Sequence, residues 1–386
     1  MHKFIGYLIV IMFNYGALVM LDFVIAKADF VNIQEEYANK MLSLKIKTQK
    51  TKMDDLKNGY VNALFPWMVD GQPKFLRRYL SPINDSNVLP LGTFLNANIS
   101  YCDEGFGQVR YKSDRFGFRN PDENWDNIGD LQVLLIGDSY GQGGCVEHAD
   151  SIQHLINEAY GKTLSLSSGG NNAAQYYAYS KVFLPKLAPT YVVLLFYAND
   201  SYDNLDSFYL NDEKLRSENY FAIDKMEPSE NLKLLYSKLD ADEFSFLTSN
   251  QDSAQSNFSD LFAALIHKAR QYLKLSHTTA FIKSLIFENY YEISNKAIET
   301  TKMLCELRSC EPIIVFLANS SNWDPSNDSI EYENFLKKIS DQNSLLFISN
   351  RDLVRKYGDE FFAPYGSHYS PMGYRETSRL ILQSMN

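Results

Sequence analysis

Histidine and cysteine are scarce in this chain, at six and four of its 386 residues. Chemistry that needs an imidazole therefore has few candidates. None of the cysteine spacings resembles a paired zinc motif, so no metal site is expected. Positive charge is also short: 37 Lys and Arg against 47 Asp and Glu leave a formal net charge of -10. That balance argues against a nucleic-acid surface. The chain has no internal repeat and no low-complexity tract, which removes repeat arrays from consideration.

The chain is instead rich in apolar and aromatic residues. With 45% hydrophobic and 14% aromatic residues, it can bury a large core, enough for one main domain with an appendage. A mostly apolar run covers residues 4–21, interrupted by Asn14, with His2 and Lys3 before it and Asp22 and Lys27 after it. The run is just long enough to span a bilayer, and the positive charge at its start favours export of the remainder of the chain. Ala26-Lys27-Ala28 also resembles a signal-peptidase site. Residues 1–28 therefore read as a signal peptide or a membrane anchor, and either places the rest of the chain outside the cytoplasm; a buried N-terminal helix is the alternative.

Residues 29–130 are aromatic, polar and turn-rich, and read as an accessory region. Within it, residues 99–102 and 108–112 read as strands around a turn at Gly105 and Gly107. From residue 131 the pattern changes. Val133-Leu134-Leu135-Ile136 is a run for a strand buried on both faces, and Gly137-Asp138-Ser139-Tyr140-Gly141 follows it as a tight turn. Buried-strand patterns recur near residues 164–166, 191–196, 313–317 and 345–348, with helical periods between them. This alternation predicts a three-layer α/β/α, flavodoxin-like parallel sheet over residues 131–386. Residues 201–288 break the rhythm and read as an insertion that turns helical.

In open parallel sheets, ligands bind beyond the carboxyl ends of the strands. Three successive strands here end in Gly, Ser or Asn clusters. Ser139 ends the first as a candidate nucleophile; by itself, Gly-Asp-Ser is equally a polar turn. A serine nucleophile needs a base, and His368, in a glycine-flanked loop before Pro371, is the histidine best placed to serve. A lone loop histidine is otherwise a packing or surface residue.

Taken together, these blocks resemble the GDSL esterases, or SGNH hydrolases. Gly137-Asp138-Ser139 matches the nucleophile block, and Gly170 the block whose backbone N–H helps form the oxyanion hole. Asn199-Asp200 matches the block with an amide oxyanion donor, and Gly366-Ser367-His368 the block that carries the base. The resemblance implies a catalytic pair Ser139 and His368, an oxyanion hole of Ser139, Gly170 and Asn199, and supporting roles for Asp138 and Asp200. It implies no metal or organic cofactor. Its activity would be that of a serine-dependent esterase or O-acyltransferase on acyl esters, and the expected export makes an O-acetylated envelope glycan, or a small ester, the expected substrate.

Two departures stand out: Tyr197 where the family has glycine, and Tyr365 where it has the aspartate that orients the histidine. A dyad, or Asp359 or Glu360 looping back, is the expected substitute. A catalytically impaired glycan-binding or assembly protein is the competing reading. The cysteines fit export. Cys305 and Cys310 flank a short loop that a local disulfide can close, leaving Cys102 and Cys145 as a second pair. Four cysteines permit three connectivities, and free thiols are the alternative. Phe116-Gly117-Phe118-Arg119-Asn120-Pro121 and the Cys102/Cys145 pair resemble a bacterial envelope subgroup of the family.

Overall fold

Eight strands in two sheets organise the described residues. The first sheet is small: β1 (Val61–Asn62) runs parallel to β2 (Asn98–Ser100), and β2 antiparallel to β3 (Arg110–Lys112). The second is a five-stranded parallel sheet of β4 (Val133–Gly137), β5 (Thr163–Ser167), β6 (Tyr191–Tyr197), β7 (Glu311–Leu317) and β8 (Leu346–Ser349), in the order β5-β4-β6-β7-β8. This computed structural model describes residues 50–71, 76–126, 128–201, 207–254, 291–319 and 328–385. The expected signal or anchor and the second half of the insertion lie outside them. Among the described residues, no helix is long and apolar enough to cross a membrane.

The parallel sheet forms for the reason its sequence implies. All five residues of β4 are buried, with Val133, Leu134, Leu135 and Ile136 at 0% exposure, because helices cover both faces. Ile152–Tyr160 (α2) follows β4, and Ala173–Phe183 (α3) follows β5. The β4-to-β5 crossover moves outward and the β5-to-β6 crossover moves back. With right-handed connections, the two helices fall on opposite faces. On one face α2 packs against the last helix, Pro371–Ser384 (α6); on the other α3 packs against Glu292–Arg308 (α4). A further helix, Asp328–Gln342 (α5), connects β7 to β8. The expected three layers are therefore present.

Local chemistry sets the helix ends. Ser151 caps α2 by accepting from the His154 backbone N–H, and Asn172 with Gln175 forms a capping box on α3. The buried face of α2 is not a purely apolar stripe: Ile152 and Ile156 are buried with Gln153, while Ala159 is exposed. The Gln153 amide donates to the Thr163 carbonyl on β5, an acceptor the helical period does not anticipate.

The region before β4 packs into the same core, and Thr51–Asn386 forms one compact unit. Its attachment is polar and specific. The Asn120 amide donates to the Ser165 carbonyl and accepts from the Ser165 N–H, copying a strand partner on the open edge of β5. Asn124 donates to the Thr163 carbonyl beside it. An unpaired sheet edge is thereby closed by side chains. Asp114 holds this segment together, accepting from the Phe116 and Phe118 N–H groups, the Asn120 amide and the Trp125 indole. Burial raises its pKa to about 6 against the opposing pull of those donors.

Candidate active site

The register of the sheet assembles the site. Gly137 of β4 is level with Ser167 of β5 and Leu195 of β6, so the turns carrying Ser139, Gly170 and Asn199 leave the same sheet edge. The Ser139 turn is self-supporting. Asp138 Oδ1 accepts from the Tyr140 N–H, and the Gln142 and Gly144 N–H groups donate back to the carbonyls of Asp138 and Ser139. Asp138 is fully buried, and its other oxygen has no hydrogen-bond partner among the described residues. Burial pushes its pKa up to about 6. It shapes the turn and does not reach the histidine ring with a hydrogen bond.

His368 comes from the loop before α6. An antiparallel bridge between Phe362 and Tyr369 pins that loop, and the Ala363 N–H donates to the His368 carbonyl. Tyr140, next to Ser139, donates its hydroxyl to the Ser367 carbonyl at 2.6 Å. The Ser139 turn and the His368 loop are thus tied directly. The result is a distance of 2.8 Å from Ser139 Oγ to His368 Nε2.

The acid that orients the histidine is Glu104. Its Oε1 lies 2.8 Å from His368 Nδ1, and its Oε2 accepts from the His368 backbone N–H at 3.1 Å. An ionised carboxylate only accepts, so Nδ1 carries the proton and Nε2 is left to accept from Ser139. Burial pulls the His368 pKa down. The hydrogen bond and charge of Glu104, with the charge of Asp138, outweigh it, and the net shift is upward.

This corrects the expectation of a dyad or of help from Asp359 or Glu360, both of which are exposed in the turn Gly358–Phe361. Tyr365 does not replace the missing aspartate with its side chain. Its backbone N–H donates to the Glu104 carbonyl and holds the incoming acid. Gly366 makes room, since a Cβ there would lie 1.7 Å from Glu104 Cδ. Tyr197 fills no glycine's role either; its ring is buried and stacked on Tyr140 with centroids 4.2 Å apart.

Glu104 is held from its own side as well. Asp103 accepts from the Gly105 and Gly107 N–H groups, and a disulfide joins Cys102 to Cys145, six residues past the nucleophile. The second disulfide joins Cys305 to Cys310, so both expected pairs are formed. Arg119, buried and with its pKa lowered by burial, donates to the carbonyls of Gln142, Gly143 and Val146, fixing the loop that carries Cys145. Glu104, Cys145 and His368 bring three ligand-type atoms within 4.8 Å. Because the Cys145 sulfur is bonded to Cys102, no thiolate is available there for a metal.

The oxyanion candidates occupy the expected turns. The Asn171 N–H donates to the Ser168 carbonyl, closing a turn in which Gly170 has φ +71, as a type II turn requires at its third position. Asn199 is exposed in the turn Ala198–Ser201. Asp200 fixes that turn by accepting from the Tyr197 N–H and the Tyr176 hydroxyl. Sequence reasoning missed Glu104, Arg119 and Asp114. The signal for Glu104 was present, because a Cys102–Cys145 bond brings residue 104 to the nucleophile turn.

Fold and site define an α/β protein with a Ser-His-Glu constellation at the carboxyl edge of a parallel sheet. No family model matches the sequence, and no curated protein matches it. Among solved structures, the chain is similar to a putative acylhydrolase from Bacteroides fragilis, with 12% identity, TM-score 0.38, and coverage of 68% of this chain and 93% of that one. It is similar also to TesA, with 9% identity, TM-score 0.38, and coverage of 66% and 98%. A third is a catalytic mutant of an acetylxylan esterase from Geobacillus stearothermophilus, with 12% identity, TM-score 0.36, and coverage of 66% and 94%.

Proposed function

We propose that the protein is an exported serine esterase of the SGNH type that releases acyl groups, acetyl foremost, from O-acylated envelope glycans. The observation that carries this reading is the continuous hydrogen-bonded line from Ser139 through His368 to Glu104, at 2.8 Å for each link. Ser139 Oγ attacks the acyl carbonyl while Nε2 of His368 takes its proton. Nδ1–H stays on the imidazolium, stabilised by the Glu104 carboxylate. The Ser139 and Gly170 N–H groups and the Asn199 amide hold the oxyanion. Collapse expels the sugar oxygen, which takes the proton from Nε2, and leaves an acyl-serine. Water then releases the acid, or a second sugar hydroxyl accepts the acyl group, in which case the protein is an O-acyltransferase.

Two disulfides within the described residues support an oxidising compartment. The competing reading of an inactive glycan-binding protein depended on a histidine without an acid, and Glu104 removes that premise. The test is hydrolysis of p-nitrophenyl acetate and butyrate by the oxidised protein, with Ser139→Ala as the comparison. Serine-dependent turnover and fluorophosphonate labelling support the enzyme. A folded wild type that neither turns over ester nor takes the label rejects it.

A further inference from the structure

Trp67 stands beside the oxyanion loop and takes no part in the chemistry above. It opens the short helix Trp67–Gly71 (α1) and keeps 36% of its surface exposed, while its neighbours Leu64 and Val69 are at 0%. Its ring lies against Gly170, and the Phe65 ring against Gly169, in the loop after β5. A Cβ on Gly170 would come within 2.5 Å of Trp67 Cδ1 and Nε1, and one on Gly169 within 2.9 Å of the Phe65 ring. Backbone bearing a proposed oxyanion donor and an open indole are thus in contact.

The indole is also presented rigidly. Asp70, three residues on, accepts from the Ser207 hydroxyl at 2.7 Å, the Phe208 N–H at 2.8 Å and the Gln175 amide at 3.2 Å. Behind it, Phe65 packs against Tyr101, with ring centroids 6.2 Å apart, in the strand end that leads to Cys102 and Glu104. An aromatic ring fixed on one side and wet on the other is prepared for a partner with an apolar face and a polar rim.

We propose that Trp67 is the platform on which the sugar ring bearing the acyl group, a pyranose, stacks. This rests on the esterase reading and names how its alcohol part is recognised. A pyranose has a face of C–H groups edged with hydroxyls, which suits an indole set against the polar loop Ser168–Asn172. A long acyl chain needs instead an enclosed apolar channel. Trp67 borders the Gly170 backbone; one cavity of about 540 Å³ is lined by Lys181, Asp212 and Arg216 and another of about 560 Å³ by Asn211, Lys214 and Arg216, and neither lining includes a residue of the Ser139 turn.

The experiment compares kcat/KM for an acetylated xylo-oligosaccharide with that for p-nitrophenyl acetate in wild type, Trp67→Ala and Trp67→Phe. The saccharide-to-nitrophenyl ratio is expected to fall about tenfold or more in Trp67→Ala and to recover in part in Trp67→Phe. An unchanged ratio, including an equal fall in both activities, overturns the proposal. So does selective loss of p-nitrophenyl hexanoate activity with acetyl-saccharide turnover retained, which marks an acyl-chain site. A readout without turnover separates this inference from the esterase reading: quenching of tryptophan fluorescence in Ser139→Ala by the same oligosaccharide, lost in Ser139→Ala/Trp67→Ala. Quenching without turnover in wild type would retain the platform and reject the enzyme. No quenching together with normal esterase activity would do the reverse.

Discussion

Glu104→Gln isolates the acid at minimal structural cost. Glutamine matches glutamate in shape, and its carbonyl oxygen can still accept from the His368 backbone N–H, so the loop should stay in place. The negative charge on the Nδ1 side is lost, and the amide nitrogen can turn toward Nδ1 and favour the wrong tautomer. Neutralising the equivalent acid of a serine protease costs about 10⁴ in kcat, so a loss of ~10³–10⁴ is expected here. The pH profile carries a second signature. The active base is neutral His368, so turnover rises as pH climbs through its pKa. Burial lowers that pKa, but the hydrogen bond and charge of Glu104 hold it above its ordinary value. Without Glu104's charge, the burial effect prevails and the acidic limb of kcat/KM moves to lower pH, even as the plateau collapses. The assay is p-nitrophenyl acetate hydrolysis from about pH 5 to pH 9, with circular dichroism to confirm folding. A loss of less than about tenfold with an unmoved limb would refute the assignment of Glu104.

The other expectations rest on the same geometry. Gly366→Ala places a methyl in the space of the Glu104 carboxylate, so kcat should approach that of Glu104→Gln while the melting temperature changes little; wild-type turnover would show that the two groups do not compete. Cys102→Ser, or reduction of the wild type, removes a cross-link spanning 43 residues, worth about 4 kcal/mol in the loop-entropy account, and loosens Glu104. Its activity loss should not add to that of Glu104→Gln, and full additivity would place the effect elsewhere. Asn199→Ala should lower kcat by ~10²–10³ as the loss of one oxyanion donor, and unchanged kcat would remove Asn199 from the hole. Tyr365→Phe should leave kcat/KM within about twofold, because only the backbone of Tyr365 meets Glu104; a large loss would give its phenol a role.

The sheet was legible because its strands are local and strongly patterned. Val133 to Ile136 and Val192 to Phe196 are fully buried, and apolar runs this short, bounded by turns, read as strands rather than helices. The Ser139, Gly170 and Asn199 turns followed from those strands, since a parallel sheet delivers every strand's carboxyl end to the same edge. The buried face of α2 was not legible in the same way, because Gln153 is drawn inside by a carbonyl of β5 that no helical period reveals.

By itself, then, the sequence determined the α/β/α layering and singled out Ser139 and His368 as candidates from a small number of possibilities, while the structure chose among the open cysteine pairings. Only the tertiary structure decided which carboxylate serves His368. Glu104 lies 264 residues before it, on a loop of the small sheet, and reaches it because the Cys102–Cys145 bond, the Tyr365 N–H and the absent side chain of Gly366 converge on one point. The same holds for Trp67, whose exposure beside Gly170 is set by packing between distant segments. A carboxylate or an indole acquires such a role from distance and surroundings in space, and linear spacing records neither.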